Sequence, residues 1–184
     1  MRTLLVNFCL GLGVALSFAT PSLAQMPAYT QAGPIPSALA TARTIFISNA
    51  GADSGLFYEP FPDDPNRPYI FSGDPDRAYT EFYAALKATG KFNLVSNPEI
   101  ADLVLELRLT APENPVMSEG EVYPLPVFRL VIYDGKTHYI LWTVTHSIDN
   151  AILRRNCDKN FDAALAEVLN HFLQTTGKST APAH

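Results

Sequence analysis

The segment "DLVLELRLT", residues 102–110, constrains the fold more strongly than any other part of the chain. Its odd-numbered positions from 103 to 109 are all leucine, while the polar residues Glu106 and Arg108 occupy even-numbered positions. Because successive side chains of an extended strand point to opposite faces, this alternation predicts a strand with one buried face. Such a strand needs neighbouring strands for its main-chain groups and a covering layer for its leucines. We therefore predict a multi-stranded sheet with helices packed against it.

The remaining elements follow from the same kind of pattern. Strand patterns occupy residues 44–50, 91–97, 127–134 and 138–148, and helix patterns occupy residues 74–90 and 158–177. "NPEIA" favours a single helical turn before the leucine strand. A right-handed crossover makes the first two strands parallel, and "DGKT" joins the last two as an antiparallel hairpin. The prediction is an α/β (α+β) fold of order β-α-β-β-β-β-α, with a mixed five-stranded sheet in the spatial order 2-1-3-4-5 and two main helices packed on it.

Both predicted helices carry recognisable start residues. Asp74 is suited to cap the first helix, and Pro75 follows at the position where its missing N–H costs nothing. Gly90 fits the left-handed conformation that often follows a helix. The second helix is predicted to begin just after a linker, with Asn156 or Asp158 as its cap.

Two long segments, residues 51–73 and 111–126, are predicted to be irregular because each contains four prolines. The predicted strand order places both of them, together with the 149–157 linker, along one rim of the sheet. Loops held on a rigid scaffold often carry binding residues, and aromatic side chains are favoured at interfaces. We predict as binding residues Phe57, Tyr58, Phe61, Tyr69 and Tyr123. The alternative is that the aromatic residues fold back and cover the core.

The first 24 residues have the pattern of a secretory signal peptide. Arg2 precedes an apolar run that is short for a membrane span, and small residues at 22 and 24 favour cleavage after Ala24. Cys9 lies inside the apolar run and lacks the small residues that a lipobox needs. We predict a leader at 25–42, one domain at 43–177 and a loose tail at 178–184. The expected location is the periplasm or the medium, with no membrane span after cleavage.

The charge balance excludes two classes of partner. Removal of Arg2 with the signal peptide leaves 12 basic and 18 acidic residues, which is a formal charge of −6. A chain with this balance has no general attraction for nucleic acid or for anionic lipid. The expected partner is therefore another envelope protein or a second copy of the chain.

Cys157, in "RRNCDKN" (154–160), is the only cysteine that remains after signal cleavage. Neighbouring arginines and a helix start favour a thiolate, whereas an adjacent aspartate opposes it. A nucleophile pair also needs an imidazole within hydrogen-bond reach, and His146 is the candidate, with Asp149 or Asp158 to orient it. No thiol-protease signature surrounds Cys157, so we predict that the chain is not an enzyme. The alternatives are a thiol-dependent enzyme that uses Cys157 with His146, and a small-ligand-binding domain.

No cofactor and no metal site are predicted. The acidic residues near 63–64 and 74–76 are interrupted by prolines and lack the alternating ligands of a calcium loop. Zinc-ligand spacing and a phosphate-binding glycine loop are both missing from the sequence after residue 24.

The pattern "SNPEIADLVLEL", with the hairpin "RLVIYDGKTHYILWTVT" and a closing helix, resembles small bacterial extracytoplasmic domains of unknown function. These are similar to the TolB N-terminal type and to the curli-secretion, CsgG-like type, and the lipoprotein activators of penicillin-binding proteins look similar. The resemblance spans about residues 43–177. It implies a non-enzymatic domain that binds proteins or assembles at the cell envelope. It supplies no catalytic residue.

Overall fold

The computed structural model describes residues 34–57, 71–111, 116–118, 121–123, 125–149, 151 and 153–178. The predicted signal peptide, residues 25–33 of the leader and residues 179–184 of the tail lie outside the described residues. Cleavage after Ala24 therefore stays a prediction.

Three helices and seven strands make up the described fold. The helices are α1 (Ser37–Thr41), α2 (Arg77–Ala88) and α3 (Arg154–Thr175). The strands are β1 (Thr44–Ala52), β2 (Asn93–Leu94), β3 (Leu103–Thr110), β4 (Val116–Ser118), β5 (Glu121–Tyr123), β6 (Val127–Asp134) and β7 (Ile140–Ser147). Single 3-10 turns at Ser54–Leu56 and Pro98–Ile100 follow β1 and β2.

The main sheet has five strands in the order β2-β1-β3-β6-β7. β1 is parallel to β2 and β3, whereas β3, β6 and β7 are successively antiparallel. In chain order these are strands 2-1-3-4-5, so the predicted fold class and strand order are confirmed.

The core lies on one face of this sheet. The odd-numbered leucines of β3 are at most 1% exposed, and they are in register with Ile45 and Ile47 of β1 and with buried residues of β6. The buried stripe of α2 (Ala78, Phe82, Leu86) and that of α3 belong to the same core cluster. Both helices therefore cover the same face, as the single apolar face of the leucine strand requires.

The fold begins earlier than the sequence indicates. Residues 37–41, which were assigned to the leader, form α1, and Leu39 and Ala42 are 0% and 2% exposed within the core cluster. Residues 37–42 therefore belong to the described fold, ahead of the expected boundary at residue 43. A single buried leucine in a five-residue helix leaves no periodic pattern in the sequence, because the segment is too short to show one.

Three further element boundaries differ from the prediction. α3 begins at Arg154, without a side-chain cap, because the N–H groups of Asn156 and Cys157 donate to the Leu153 carbonyl. β2 has only two residues, Asn93 and Leu94. The 3-10 turn that follows it starts at Asn97, whose side chain accepts from the Glu99 N–H. The 111–126 segment is not wholly irregular, because β4 and β5 within it form an antiparallel pair.

The start of α2 also differs in detail. Its first assigned residue is Arg77, and the Asp74 carboxylate accepts from the Asp76 N–H in the turn that precedes the helix. At the other end Gly90 has φ +63°, as predicted for the residue after a helix.

Candidate functional site

The rim predicted from the strand order exists in the structure. The Asp53 N–H, just after β1, donates to the carbonyl of Leu109 in β3 at 3.1 Å, and the Asp53 carboxylate accepts from the Ala111 N–H at 3.0 Å. After β7, the Ile148 N–H donates to the Pro126 carbonyl at 2.8 Å. The C-terminal ends of β1, β3 and β7 thus lie at one edge of the sheet, where the 51–73 segment, the 111–126 segment and the 149–157 linker begin.

Phe57 is the one predicted binding residue whose side chain the structure describes, and it lies in the core. It is 8% exposed, and its ring lies 6.0 Å from that of Phe71 and 6.3 Å from that of Phe161. The Phe71 N–H also donates to the Leu56 carbonyl at 2.8 Å, which joins the two ends of the loop. For Phe57 the structure therefore supports the alternative interpretation, in which loop aromatics cover the core.

The other predicted binding residues are not tested by these contacts. Tyr58, Phe61 and Tyr69 lie outside the described residues. Tyr123 belongs to β5, opposite Val116 of β4, and its side chain is not among those described. Their role in binding stays a prediction.

Arg77 forms an ionic cluster where α2, α3 and the returning loop meet. Its guanidinium contacts the carboxylates of Asp158 and Asp162 at 2.6 Å each, and that of Glu81 at 2.8 Å. The same group lies 4.2 Å above the ring centre of Phe161. Asp158 also accepts from the main-chain N–H of Ser72 at 2.8 Å. This cluster fixes the loop return to both helices and leaves Asp158 unavailable to orient a histidine.

Arg77 and Asp158 each stabilise the charged form of the other. Burial disfavours the charged form of Asp158, but hydrogen bonds from Ser72 and Arg77 outweigh it, so the pKa of this carboxyl is lowered. For Arg77, burial acts against the charged form, but bonds to Glu81 and Asp158 raise the pKa overall. Both groups are therefore ionised at neutral pH.

We expect the stability contributed by Asp158 to depend on pH. Because its folded-state pKa is lowered, this contribution is present above the unfolded-state pKa of about 4 and is lost as the pH falls through the folded-state value. Asp158→Asn should lower the free energy of unfolding by about 1–2 kcal/mol at neutral pH, and by much less below about pH 3. Denaturant titration at both pH values measures the difference.

The matched control is Asp162→Asn. The Asp162 side chain is 58% exposed, against 23% for Asp158, although both contact Arg77 at the same distance. Its loss should cost less than about 0.5 kcal/mol. Equal effects of the two variants, or an effect of Asp158→Asn that does not change with pH, would contradict the assignment.

Cys157 is a core residue in the first turns of α3. Cys157 is 3% exposed, and its thiol donates to the Ala151 carbonyl, with 3.2 Å between Sγ and O. Burial, together with the neighbouring Asp158, raises the pKa of the thiol. The flanking Arg154 and Arg155 are exposed. Burial and the raised pKa of the thiol both act against the activated thiolate considered from the sequence, and neither Asn156 nor Asp158 caps the helix.

His146 is not positioned to pair with Cys157. Its ring lies 6.4 Å from that of His171, which is fourteen residues further along α3 than Cys157. At about 1.5 Å per residue, His171 is about 21 Å from Cys157 along the helix axis. Since His146 lies beside His171, its imidazole is far outside hydrogen-bond reach of the thiol. The structure therefore does not bring Cys157 and His146 together, since His146 lies beside a residue near the other end of α3.

The structure shows a different candidate site at the edge of β1. β2 pairs with β1 only at Thr44 and Ile45, whereas β1 continues to Ala52. The Ile45 carbonyl accepts from the Val95 N–H at 2.9 Å, so main-chain groups two and four residues later face the same side. Within the described part of the chain, no main-chain hydrogen bond reaches Ile47 or Asn49 from that side.

A groove of about 510 Å³ runs along this uncovered edge, and we call it the β1 edge groove. It is lined by Phe46, Ile47, Ser48, Asn49, Tyr79, Tyr83, Leu94, Val95 and Ser96. None of these side chains is charged. Tyr79 and Tyr83 stand one turn apart on the flank of α2, with ring centres 6.1 Å apart.

Sequence reasoning did not single out Tyr79 or Tyr83. Their spacing of four residues places them on one side of α2, next to the buried stripe that includes Phe82. That spacing is visible in the sequence, but the early end of β2, which leaves the edge uncovered, is not.

Two further findings hold for the part of the chain that the structure describes. It contains no group of three or more histidine, cysteine or acidic residues that could hold a metal ion. Among its helices, none has the length and apolar character needed to cross a membrane.

No family model matches the sequence, and no curated protein is similar to it. Several solved bacterial structures are similar in fold. A PelC dodecamer from Paraburkholderia phytofirmans is 16% identical, covers 71% of this chain and 86% of that one, and has a TM-score of 0.42. Protein XCC0632 from Xanthomonas campestris, of family DUF330, is 12% identical, with coverages of 80% and 85% and a TM-score of 0.46.

The C-terminal domain of LpoB from Salmonella enterica is 14% identical, covers 58% of this chain and 82% of that one, and has a TM-score of 0.35. With TM-scores below 0.5, these similarities give no information about binding or activity. The resemblance to TolB and CsgG-like domains stays a prediction.

Proposed function

We propose that this chain is an exported, non-enzymatic domain that binds another protein by accepting an extended segment of it at the β1 edge groove. The observation that carries this proposal is the uncovered edge of β1 beyond the two residues of β2. An unpaired strand edge offers N–H and C=O groups to a peptide strand, and this mode of recognition is common in proteins.

The groove supplies side-chain contacts as well as main-chain ones. Tyr79 and Tyr83 present two aromatic rings beside the edge, and tyrosine is favoured at interfaces because it offers a large apolar surface with a polar end. Because no charged side chain lines the groove, an uncharged segment fits it best, since a charge would lose water without gaining an ionic partner.

The edge limits how long a segment can be added. A register shift between Asn49 and Ala52 ends the regular part of β1, where Gly51 has φ +74° and its N–H donates to the Asn49 side chain. The Asn49 amide also donates to Asp76 at 2.8 Å. Irregularities of this kind end strand pairing, so a bound segment would pair over about three or four residues.

The buried thiol of Cys157 and the distant His146 give no support to the enzyme alternative. The location we propose is extracytoplasmic, and it rests on the signal-peptide pattern of residues 1–24. The partner we propose is another envelope protein, or a second copy of the chain.

Variants of the groove test the proposal. Replacing Tyr79 and Tyr83 together with Ala should weaken capture of the envelope partner by at least about tenfold, because both aromatic walls are lost. Ser96→Lys, at an exposed position in the groove, should weaken capture too, because a lysine at a strand edge disfavours pairing. Affinity capture from an extract of the producing cells, with the bound protein quantified, is the measurement.

The matched control is Tyr139→Ala. This tyrosine is 75% exposed in the β6–β7 turn, away from the groove. The proposal is contradicted if all three forms capture the same protein equally well, while circular dichroism shows that each is folded.

A further inference from the structure

His146 departs from the apolar pattern of its strand. It is in register with Phe128, so it lies on the core face of β7, between the buried residues Val144 and Ile148. On this face the sheet packs against α3, and the α3 residues of the core cluster, such as Leu165 and Val168, are apolar. A partly exposed imidazole at this seam is not explained by packing alone.

A second imidazole meets it from the helix. His171 of α3 is exposed, and its ring centre lies 6.4 Å from that of His146, with 70° between the ring planes. Two imidazoles that bind one metal ion at about 2.1 Å have ring centres about 5–6 Å apart. The observed separation of 6.4 Å is just above that range, and His171, which is exposed, is the ring that has to move.

We propose that His146 and His171 together bind a divalent transition-metal ion that bridges β7 and α3. The described residues contain no cluster of three potential ligands, so the pair supplies two imidazole nitrogens and water fills the other positions. Such a site favours copper(II) over zinc(II), because affinity for nitrogen ligands follows that order. It does not select magnesium or calcium, which prefer oxygen ligands.

Thermal unfolding of the tag-free chain in zinc chloride tests this site. An ion that bridges a strand and a helix binds only the folded state, so about 1 mM zinc chloride at about pH 7.5 should raise Tm by about 3–6 °C. Magnesium chloride should not raise it.

Variants identify the ligands. His146→Gln and His171→Gln should each abolish the Tm increase, and the latter changes an exposed side chain without disturbing the core. His138→Asn is the control, since His138 is exposed in a turn with φ +60°, a conformation that asparagine accepts. In the presence of copper(II), electron paramagnetic resonance should detect two imidazole nitrogens in the wild type and fewer in each variant.

The proposal is overturned if zinc gives no Tm increase, or if the increase persists in either His146→Gln or His171→Gln. It is also overturned if the copper spectrum is unchanged in those variants, because the ion would then bind elsewhere.

Discussion

Phe161→Ala should lower the free energy of unfolding by about 3–5 kcal/mol, which is a large part of the stability of a domain this size. Phe161 is fully buried, and its ring lies 5.0 Å from that of Phe128 and 5.1 Å from that of Phe71. It also lies under the guanidinium of Arg77. The truncation therefore leaves a cavity where the sheet, α3 and the returning loop meet.

Urea denaturation followed by circular dichroism measures this loss. Ile100→Ala is the control, because Ile100 is 62% exposed and its truncation should cost less than about 0.5 kcal/mol. A cost for Phe161→Ala that is no greater than that of the control would show that the aromatic cluster is not the packing centre described here.

Gly135→Ala should also destabilise the fold strongly, with an expected loss of about 3 kcal/mol or more in the free energy of unfolding. A Cβ atom at this position would lie 1.9 Å from the Ala101 carbonyl oxygen, which is main chain and cannot rotate away. The Gly135 N–H also donates to the Asp102 carbonyl at 2.9 Å. The β6–β7 turn therefore packs directly on the start of β3, and only glycine permits that approach.

Gly55→Ala provides a matched comparison, since a Cβ there would meet no atom within 4 Å. We expect its free energy of unfolding to stay within about 0.5 kcal/mol of the wild type. If the two alanine variants were equally stable in the same denaturation experiment, the close approach at Gly135 would be disproved.

The sheet follows from the sequence because its strands carry strong local patterns. The alternating leucines of residues 102–110 predict β3 to within one residue, and the crossover rule orders β1 and β2 around α2. The elements with weak local patterns were not predicted. Leu39 of α1 is recognised as a core residue only from its burial in the structure. α3 starts at Arg154 without a side-chain cap, so the capping pattern at Asn156 and Asp158 predicted its start incorrectly.

The candidate site was less predictable than the fold, because it depends on where elements end. β2 stops after two residues, and among the described residues this leaves Ile47 and Asn49 of β1 without a strand partner on one side. The sequence does not mark that early end, because Val95, which follows the last residue of β2, is itself a residue that favours strands. Likewise, the predicted strand order brings the end of the last strand and the 149–157 linker to one rim, but the structure places the His146 ring beside that of His171.

The proposed binding mode also explains why β1 ends irregularly. An exposed sheet edge invites uncontrolled pairing, and bulges limit it. Here the register shift between Asn49 and Ala52 and the Asn49–Asp76 hydrogen bond interrupt the edge at the C-terminal end of β1. A bound strand can therefore pair only with the short part of β1 beside Tyr79 and Tyr83. A short, tyrosine-walled edge is suited to selective recognition.

Site-specific photo-crosslinking in the producing cells shows whether a partner segment occupies the β1 edge groove. A benzophenone amino acid placed at Tyr79 contacts whatever occupies the β1 edge groove, and the same group at Tyr139 serves as the control. We expect a discrete crosslinked product from position 79. Mass spectrometry should map the attachment to an uncharged, extended segment of another envelope protein or of a second copy of the chain. No product from position 79, or the same product from both positions, would contradict it.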